Sequence, residues 1–152
     1  MKQDKTKRSA STEPVANRSQ ILRYSEGFSW QERVRRIYKD ETGSWKGVTR
    51  TSLVGGSDGL PIPFHVRYFE VEVGGFSSLE KHAHEHVVVI VRGQGNVALD
   101  DREDSLSFGD VVYIAPWTVH QFRNPQGPEP FGFLCMVPAE RDPPVVVQPQ
   151  GD

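Results

Sequence analysis

The 152 residues carry 18 Lys and Arg against 20 Asp and Glu, a formal net charge of -2, and 36% of them are apolar. That length is enough to close one hydrophobic core, and the near-neutral balance excludes an electrostatic footprint for nucleic acid or an anionic membrane surface. The single cysteine, Cys135, excludes an internal disulfide and a paired-cysteine zinc site.

Residues 1–20 are rich in Lys, Ser, Thr, Gln and Asn and contain no apolar h-region. They read as a flexible tail without a secretory signal, which predicts a cytoplasmic protein. One domain is then predicted over 21–141, followed by a loose tail over 142–152 in which Val145-Val146-Val147 can add a short edge strand. Near its start, Ser29-Trp30-Gln31-Glu32 has the form of a capping box, and Trp30, Val34, Ile37 and Tyr38 share a helical face. A short helix is predicted there, with an early strand as the alternative. Further on, Gly and Pro punctuate short runs of Val, Ile, Phe and Tyr, the rhythm of an all-β sandwich or barrel. Strands are predicted over 64–73, 81–92, 96–99, 111–114, 120–123 and 131–137, separated by turns such as Gly93-Gln94-Gly95 and Asn124-Pro125-Gln126-Gly127-Pro128. The longest apolar run, Val87-Val88-Val89-Ile90-Val91, falls far short of the ~20 residues that span a bilayer.

Five histidines occur, at 65, 82, 84, 86 and 120. His82, His84 and His86 alternate in one predicted strand, so period two puts all three on one face. Neutral imidazoles on one face suit a divalent transition metal, Fe, Mn, Co, Ni, Cu or Zn. A straight strand would hold the first and third about 13 Å apart, so convergence on one ion demands a bend.

The segment Gly75-Phe-Ser-Ser-Leu-Glu-Lys-His82-Ala-His84-Glu-His86-Val-Val-Val-Ile-Val-Arg-Gly93 resembles the first motif of the cupin superfamily. Gly109-Asp-Val-Val-Tyr-Ile-Ala-Pro116-Trp-Thr-Val-His120-Gln-Phe-Arg-Asn124 resembles the second. The resemblance implies a double-stranded β-helix, the jelly-roll barrel, with His82, His84 and His120 as ligands of one divalent metal and a homodimer as the assembly. The family's usual carboxylate ligand is displaced here. Counted back from Gly93, its slot holds His86, which makes a four-histidine site; Glu85, turned inward at a bulge, is the alternative. Small bacterial cupins with four histidine ligands share the Phe133-Leu134-Cys135 run near the end.

Four neutral imidazoles leave a divalent ion its full formal charge, and on an octahedral ion they leave two positions for a small-molecule substrate, although a closed structural zinc site would also use four ligands. Parity places Phe122 beside His120, and Phe133 with Cys135 on the last strand, so the three are expected to line one substrate pocket. Arg67, on the face of Phe69 and Val71, is expected to hold an anionic substrate group or a buried acid. Tyr113 and Glu85 are the remaining candidates for hydrogen bonding or proton transfer at the site. The expected activity is a metal-dependent dioxygenase. The alternatives are a non-redox cyclase, isomerase or lyase, and a cupin that binds a small molecule without turnover.

Overall fold

The computed structural model describes residues 18–38, 44–56 and 60–149. Most of the predicted N-terminal tail, and the last three residues of the C-terminal one, lie outside them. Thirteen strands occur among the described residues: β1 (Tyr24–Ser25), β2 (Ser29–Trp30), β3 (Arg35–Ile37), β4 (Lys46–Val54), β5 (Phe64–Phe76), β6 (Glu80–Lys81), β7 (His86–Arg92), β8 (Gly95–Leu99), β9 (Arg102–Leu106), β10 (Val111–Ile114), β11 (His120–Arg123), β12 (Phe131–Pro138) and β13 (Val145–Val146). All pair antiparallel. β3, β4, β5, β12, β7 and β10 lie side by side, and β9, β8, β11, β6 and β13 make the opposing layer. The result is an all-β, jelly-roll barrel. Among the described residues no helix is long and apolar enough to cross a membrane.

β5 joins the layers. Along most of its 13 residues it pairs with β4 and β12, and its last residue, Phe76, meets Arg123 of β11. The crossing is made at two glycines. Gly74 has φ +80°, and a Cβ on Gly75 would lie 2.6 Å from the Lys46 carbonyl, so no side chain fits the corner. Asn124, fully buried, fastens it: its Nδ2 donates to the carbonyls of Val71 and Glu129, both at 3.0 Å.

The strand's alternation splits its side chains cleanly. Inward, Phe69 stacks on Phe133 at 5.7 Å between ring centroids, and Phe133 also meets Phe122 at 4.6 Å and Phe131 at 5.4 Å. Outward, Tyr68 is covered by Phe28 and Trp30 from the β1–β2 hairpin, at 5.7 and 5.1 Å.

The predicted helix near residue 30 is replaced by strands. Tyr24 pairs with Trp30 across a turn, Glu32 takes φ +61°, and Arg35–Ile37 joins the edge of β4. The apolar stripe is divided between two surfaces: Trp30 packs on Tyr68 and Tyr38 on Phe69, while Val34 and Ile37 stay exposed. Tertiary pairing here overrides a local capping signal. β4 and β9 extend the predicted set; β9 reads Arg-Glu-Asp-Ser-Leu, too polar to register as a strand until β8 pairs with it.

Candidate functional site

The predicted strand over 81–92 is interrupted at the histidines. β6 ends at Lys81, β7 begins at His86, and the chain bends at Ala83 and His84. The amides of Ala83 and His84 donate to the Asp142 carboxylate at 2.7 and 3.0 Å. From inside the bend, His82 Nδ1 donates to the His84 carbonyl at 2.7 Å. The ring centroids of His82 and His86 are thereby 5.0 Å apart. His120, paired with Glu80 in register, brings a third ring to 4.9 Å from His82 and 5.0 Å from His86. One ligand-capable atom from each of these three buried histidines lies within 4.8 Å of the others. His84 lies flat against His82 at 3.7 Å, with 3° between the planes, and 6.3 Å from His86.

Hydrogen bonding fixes which nitrogen each ring has free. His82 and His120 face backbone carbonyls through Nδ1, at 2.7 Å to His84 and 2.8 Å to Thr118, and a carbonyl only accepts. His84 Nδ1 meets the Asp142 carboxylate at 2.8 Å. In all three the proton sits on Nδ1, leaving Nε2 as a lone pair, the arrangement that outer-shell carboxylates and carbonyls impose on metal-binding histidines. His86 Nδ1 meets Cys135 Sγ at 3.4 Å, and its Nε2 is buried with no hydrogen-bond partner. A buried imidazole nitrogen without a partner, beside two others presenting lone pairs, fits a divalent transition metal. Burial, then the neighbouring imidazoles, push the His86 imidazolium down to about 2, and burial likewise lowers His82 and His120. The rings are held neutral, the form that ligates.

A cavity of about 350 Å³ opens onto His82, His84 and His86, with Tyr38, Arg50, Arg67, Glu80 and Arg141 among its walls. A wider cleft of about 420 Å³ beside Gln94 and Asn124 is lined without a titratable side chain. Only the histidine cavity of these two combines volume with chemistry.

The other sequence candidates divide. Arg67 lines the cavity, its guanidinium 5.0 Å from the Phe69 ring centre, its Nη2 donating to Cys135 Sγ at 3.3 Å. No carboxylate pairs with it among the described residues, so the buried acid partner is not found. Cys135 is buried against His86, and burial raises its thiol pKa. Phe122 and Phe133 point inward as parity required but pack into the barrel core and are not among the cavity's lining residues. Tyr113 stands 62% exposed on β10 beside Asp100 and Thr118, away from the histidines, because its neighbours Val112 and Ile114 take the inward positions. Glu85 is exposed as well; the bend turns His84 inward and leaves no bulge to invert Glu85.

Sequence reasoning missed Arg50, Arg141 and Asp142. The segment after 141 was expected to be loose apart from an edge strand that Val145-Val146-Val147 can add; β13 pairs with β6 there, and Asp142 ties the stretch before it to the histidine bend. Asp142 follows the last recognisable strand and precedes two prolines, so nothing local marks it. Arg50 gave a signal, being a cation in the middle of a strand, opposite Phe69.

The cupin-domain family profile matches residues 67–137. A 1-methylthio-D-xylulose 5-phosphate methylsulfurylase from Rhodospirillum rubrum is 43% identical over 108 residues, which are 70% of this chain and 67% of that protein. A crystallised cupin 2 conserved barrel domain protein from Rhodopseudomonas palustris superposes with a TM-score of 0.77 at 35% identity, covering 85% of this chain and 87% of its own. A cupin 2 domain-containing protein from Halorhodospira halophila superposes at 0.65 with 42% identity, over 84% of this chain and 81% of its own.

Proposed function

The chain belongs to the cupin superfamily, and from that premise we propose that it is a metal-dependent enzyme acting on a small oxygen-bearing organic molecule in the histidine cavity. The observation that carries this reading is the convergence of His82, His86 and His120 with Nε2 of His86 buried and unpartnered. His82, His84, His86 and His120 together hold one divalent transition metal. Once bound, such an ion supplies Lewis-acid polarisation of a carbonyl or enolate oxygen, and iron, manganese or copper adds redox capacity.

The chain's own residues prepare that chemistry. The His84 and Thr118 carbonyls and the Asp142 carboxylate hold three imidazoles in the ligating tautomer before any substrate arrives. Phe69, Phe122 and Phe133 pack into the apolar core of the barrel. Arg67 reaches the cavity wall with its charge unbalanced by any described carboxylate.

Within this reading, carbonyl polarisation is favoured over oxygen chemistry. The methylsulfurylase relative is named for a phosphorylated ketose, and a ketose offers the carbonyl oxygen that a Lewis acid needs. Dioxygenase activity, the expectation from the sequence, stays the second reading; none of the relatives described above is named for it. The implied homodimer draws support from the apolar residues exposed around the first strands, Ile21, Tyr24, Val34 and Ile37.

Elemental analysis of protein purified without added metal tests the central claim. One divalent transition-metal equivalent per chain is expected, and it is expected to vanish in His120→Ala. A full equivalent retained in that variant and in His82→Ala would overturn the site. Turnover of phosphorylated ketoses at the same rate with and without air supports carbonyl chemistry; oxygen consumption matched to turnover of diketones, flavonols or catechols supports the dioxygenase.

A further inference from the structure

We propose that Arg50, Arg67 and Arg141 form a binding site for a phosphate monoester group on the wall of the histidine cavity. The inference deepens the reading of that cavity as the substrate site and gives the substrate its class: a small molecule with a dianionic phosphate at one end.

Strand register brings the three together. Arg67 on β5 stands opposite Ser52 of β4 and Cys135 of β12, while Arg50 on β4 stands opposite Phe69. Residues paired across strands share a face, so Arg50 and Arg67 are diagonal neighbours on the inner face, within reach of one another for long side chains. Arg141 comes from the segment after β12, its Nη1 donating to the Pro138 carbonyl at 2.9 Å and facing His65 Nδ1 at 3.2 Å. All three line the same cavity as His82, His84 and His86.

Their pairing sets them apart from four other arginines of the chain. Arg35, Arg92, Arg102 and Arg123 each meet a carboxylate within 4.0 Å. Arg50, Arg67 and Arg141 meet none among the described residues, and Arg67 Nε is buried with no acceptor. Aromatic faces hold two of the guanidiniums, Arg67 over Phe69 and Arg50 over Tyr38 at 5.5 Å, which leaves the N–H edges for a ligand. Burial and then mutual repulsion with Arg67 depress both Arg50 and Arg141. Like charges gathered into one cavity and left unpaired are unfavourable unless an anion neutralises them.

The charge count selects the anion. Among the described residues the cavity's one acidic lining residue is Glu80, opposite His120 in register. In the metal-free chain, three cations against one carboxylate leave an excess of two, which a phosphate monoester dianion balances and a monocarboxylate does not; a bound divalent metal adds to the preference for a dianion. Its three terminal oxygens also match three guanidinium forks. A cavity of about 350 Å³ accommodates a phosphorylated molecule of a few carbons.

Inorganic phosphate is the direct probe. Isothermal titration into the full chain, stripped of metal by a chelator, is expected to show one saturable phosphate per chain. Arg67→Gln and Arg141→Gln are each expected to weaken it about tenfold or more, as removal of a charge-assisted hydrogen bond does. Arg102→Gln, which removes an exposed ion pair with Asp104, is expected to leave it unchanged, and acetate is expected to bind at least about tenfold more weakly than phosphate. Arg141 is exposed, so its variant reads the site even if Arg67→Gln unfolds. No saturable phosphate binding, binding indifferent to Arg141→Gln, or acetate bound as tightly as phosphate would each overturn the proposal. Phosphate binding retained in a chain that takes up no metal would overturn the metal reading and leave this subsite standing.

Discussion

One strand, β5, presents charge on both of its faces, buried in Glu70 and half-buried in Arg67, and the two faces treat it in opposite ways. Outward, Glu70 accepts from Tyr68 Oη at 2.8 Å and Arg92 Nη1 at 2.9 Å, with Arg35 at 3.5 Å. Gly132 on β12 makes the room, since a Cβ there would fall 2.2 Å from Tyr68 Oη. Phe28 then covers the cluster, stacking on Tyr68 and lying 4.7 Å below the Arg92 guanidinium. Inward, one residue away, Arg67 has a cysteine sulfur and an aromatic face, and no acid. The outer carboxylate and hydroxyl are satisfied within the chain, and Arg92, although its Nε lacks a hydrogen-bond acceptor, keeps two carboxylates within 4.0 Å. A charge with no acid partner among the described residues is instead poised for an anionic ligand. On this contrast the outer cluster is structural, and the inner face carries the proposed ligand site.

Removing the acid of the outer cluster is the strongest way to break that division. Glu70→Ala leaves Tyr68 Oη buried without an acceptor and takes the carboxylate from two arginines. It is expected to lower unfolding free energy by about 3 kcal/mol, the low end for a buried pair because Arg35 and Arg92 remain partly exposed. Metal stoichiometry is expected to hold at temperatures where the variant is folded. Urea unfolding paired with elemental analysis reads both; lost metal at unchanged stability would reverse the assignment of the two faces.

Asp142→Ala sharpens the inner side. It removes the acceptor for the amides of Ala83 and His84 and for His84 Nδ1. Losing an outer-shell carboxylate of this kind is expected to weaken metal affinity about 10–100-fold. Competition with a metal-responsive dye measures it, and an affinity within about twofold of the parent would mean that the bend holds its shape without Asp142.

How much of this contrast was legible beforehand follows the range of the interactions. Period-two alternation and turn residues are local, so β5, β7, β10, β11 and β12 were readable, as was the inward parity of Phe122, Phe133 and Cys135. The histidines His82, His86 and His120 were readable because their spacing sits inside two motifs. The bend that gathers them was required by distance, but its agent was not: Asp142 lies nearly sixty residues further on, in a stretch with no pattern. The arginine cluster was hidden for the same reason, since Arg50, Arg67 and Arg141 become neighbours only through the registers of β4, β5 and β12. The capping box at Ser29 erred in the opposite sense, a local signal outweighed by the pairing of Trp30 with Tyr24 and its packing on Tyr68.

Acid offers a graded version of the comparison. The His86 imidazolium is held at about 2 in the folded chain against an ordinary value of 6.5, so between these values the unfolded chain binds more protons. Stability of the metal-free protein is therefore expected to be full above pH 6.5 and to fall as pH drops, by up to about 1.4 kcal/mol per pH unit from His86 alone. Urea midpoints across that interval report the inner face. A flat profile would mean that the histidines titrate as freely as in the unfolded chain.

The smallest effect separates the two faces most sharply. Arg67→Met removes a charge next to the outer cluster's own strand positions, keeps the length of the side chain, and lets a thioether lie on Phe69 and Cys135. Were Arg67 structural, its loss would resemble that of Glu70. A desolvated cation with no acid partner contributes little to the fold, however, and replacing such a charge by an apolar side chain of similar volume is often neutral or stabilising. What is lost is one hydrogen bond to sulfur and one guanidinium–ring contact; what is relieved is burial of Nε without an acceptor and repulsion from Arg50 and Arg141. These oppose each other closely, and unfolding free energy is expected to stay within about 1 kcal/mol of the parent, on the stabilised side. Urea titrations with unchanged slope are the measurement. A loss as large as that of Glu70→Ala would make the inner face of β5 as structural as the outer one.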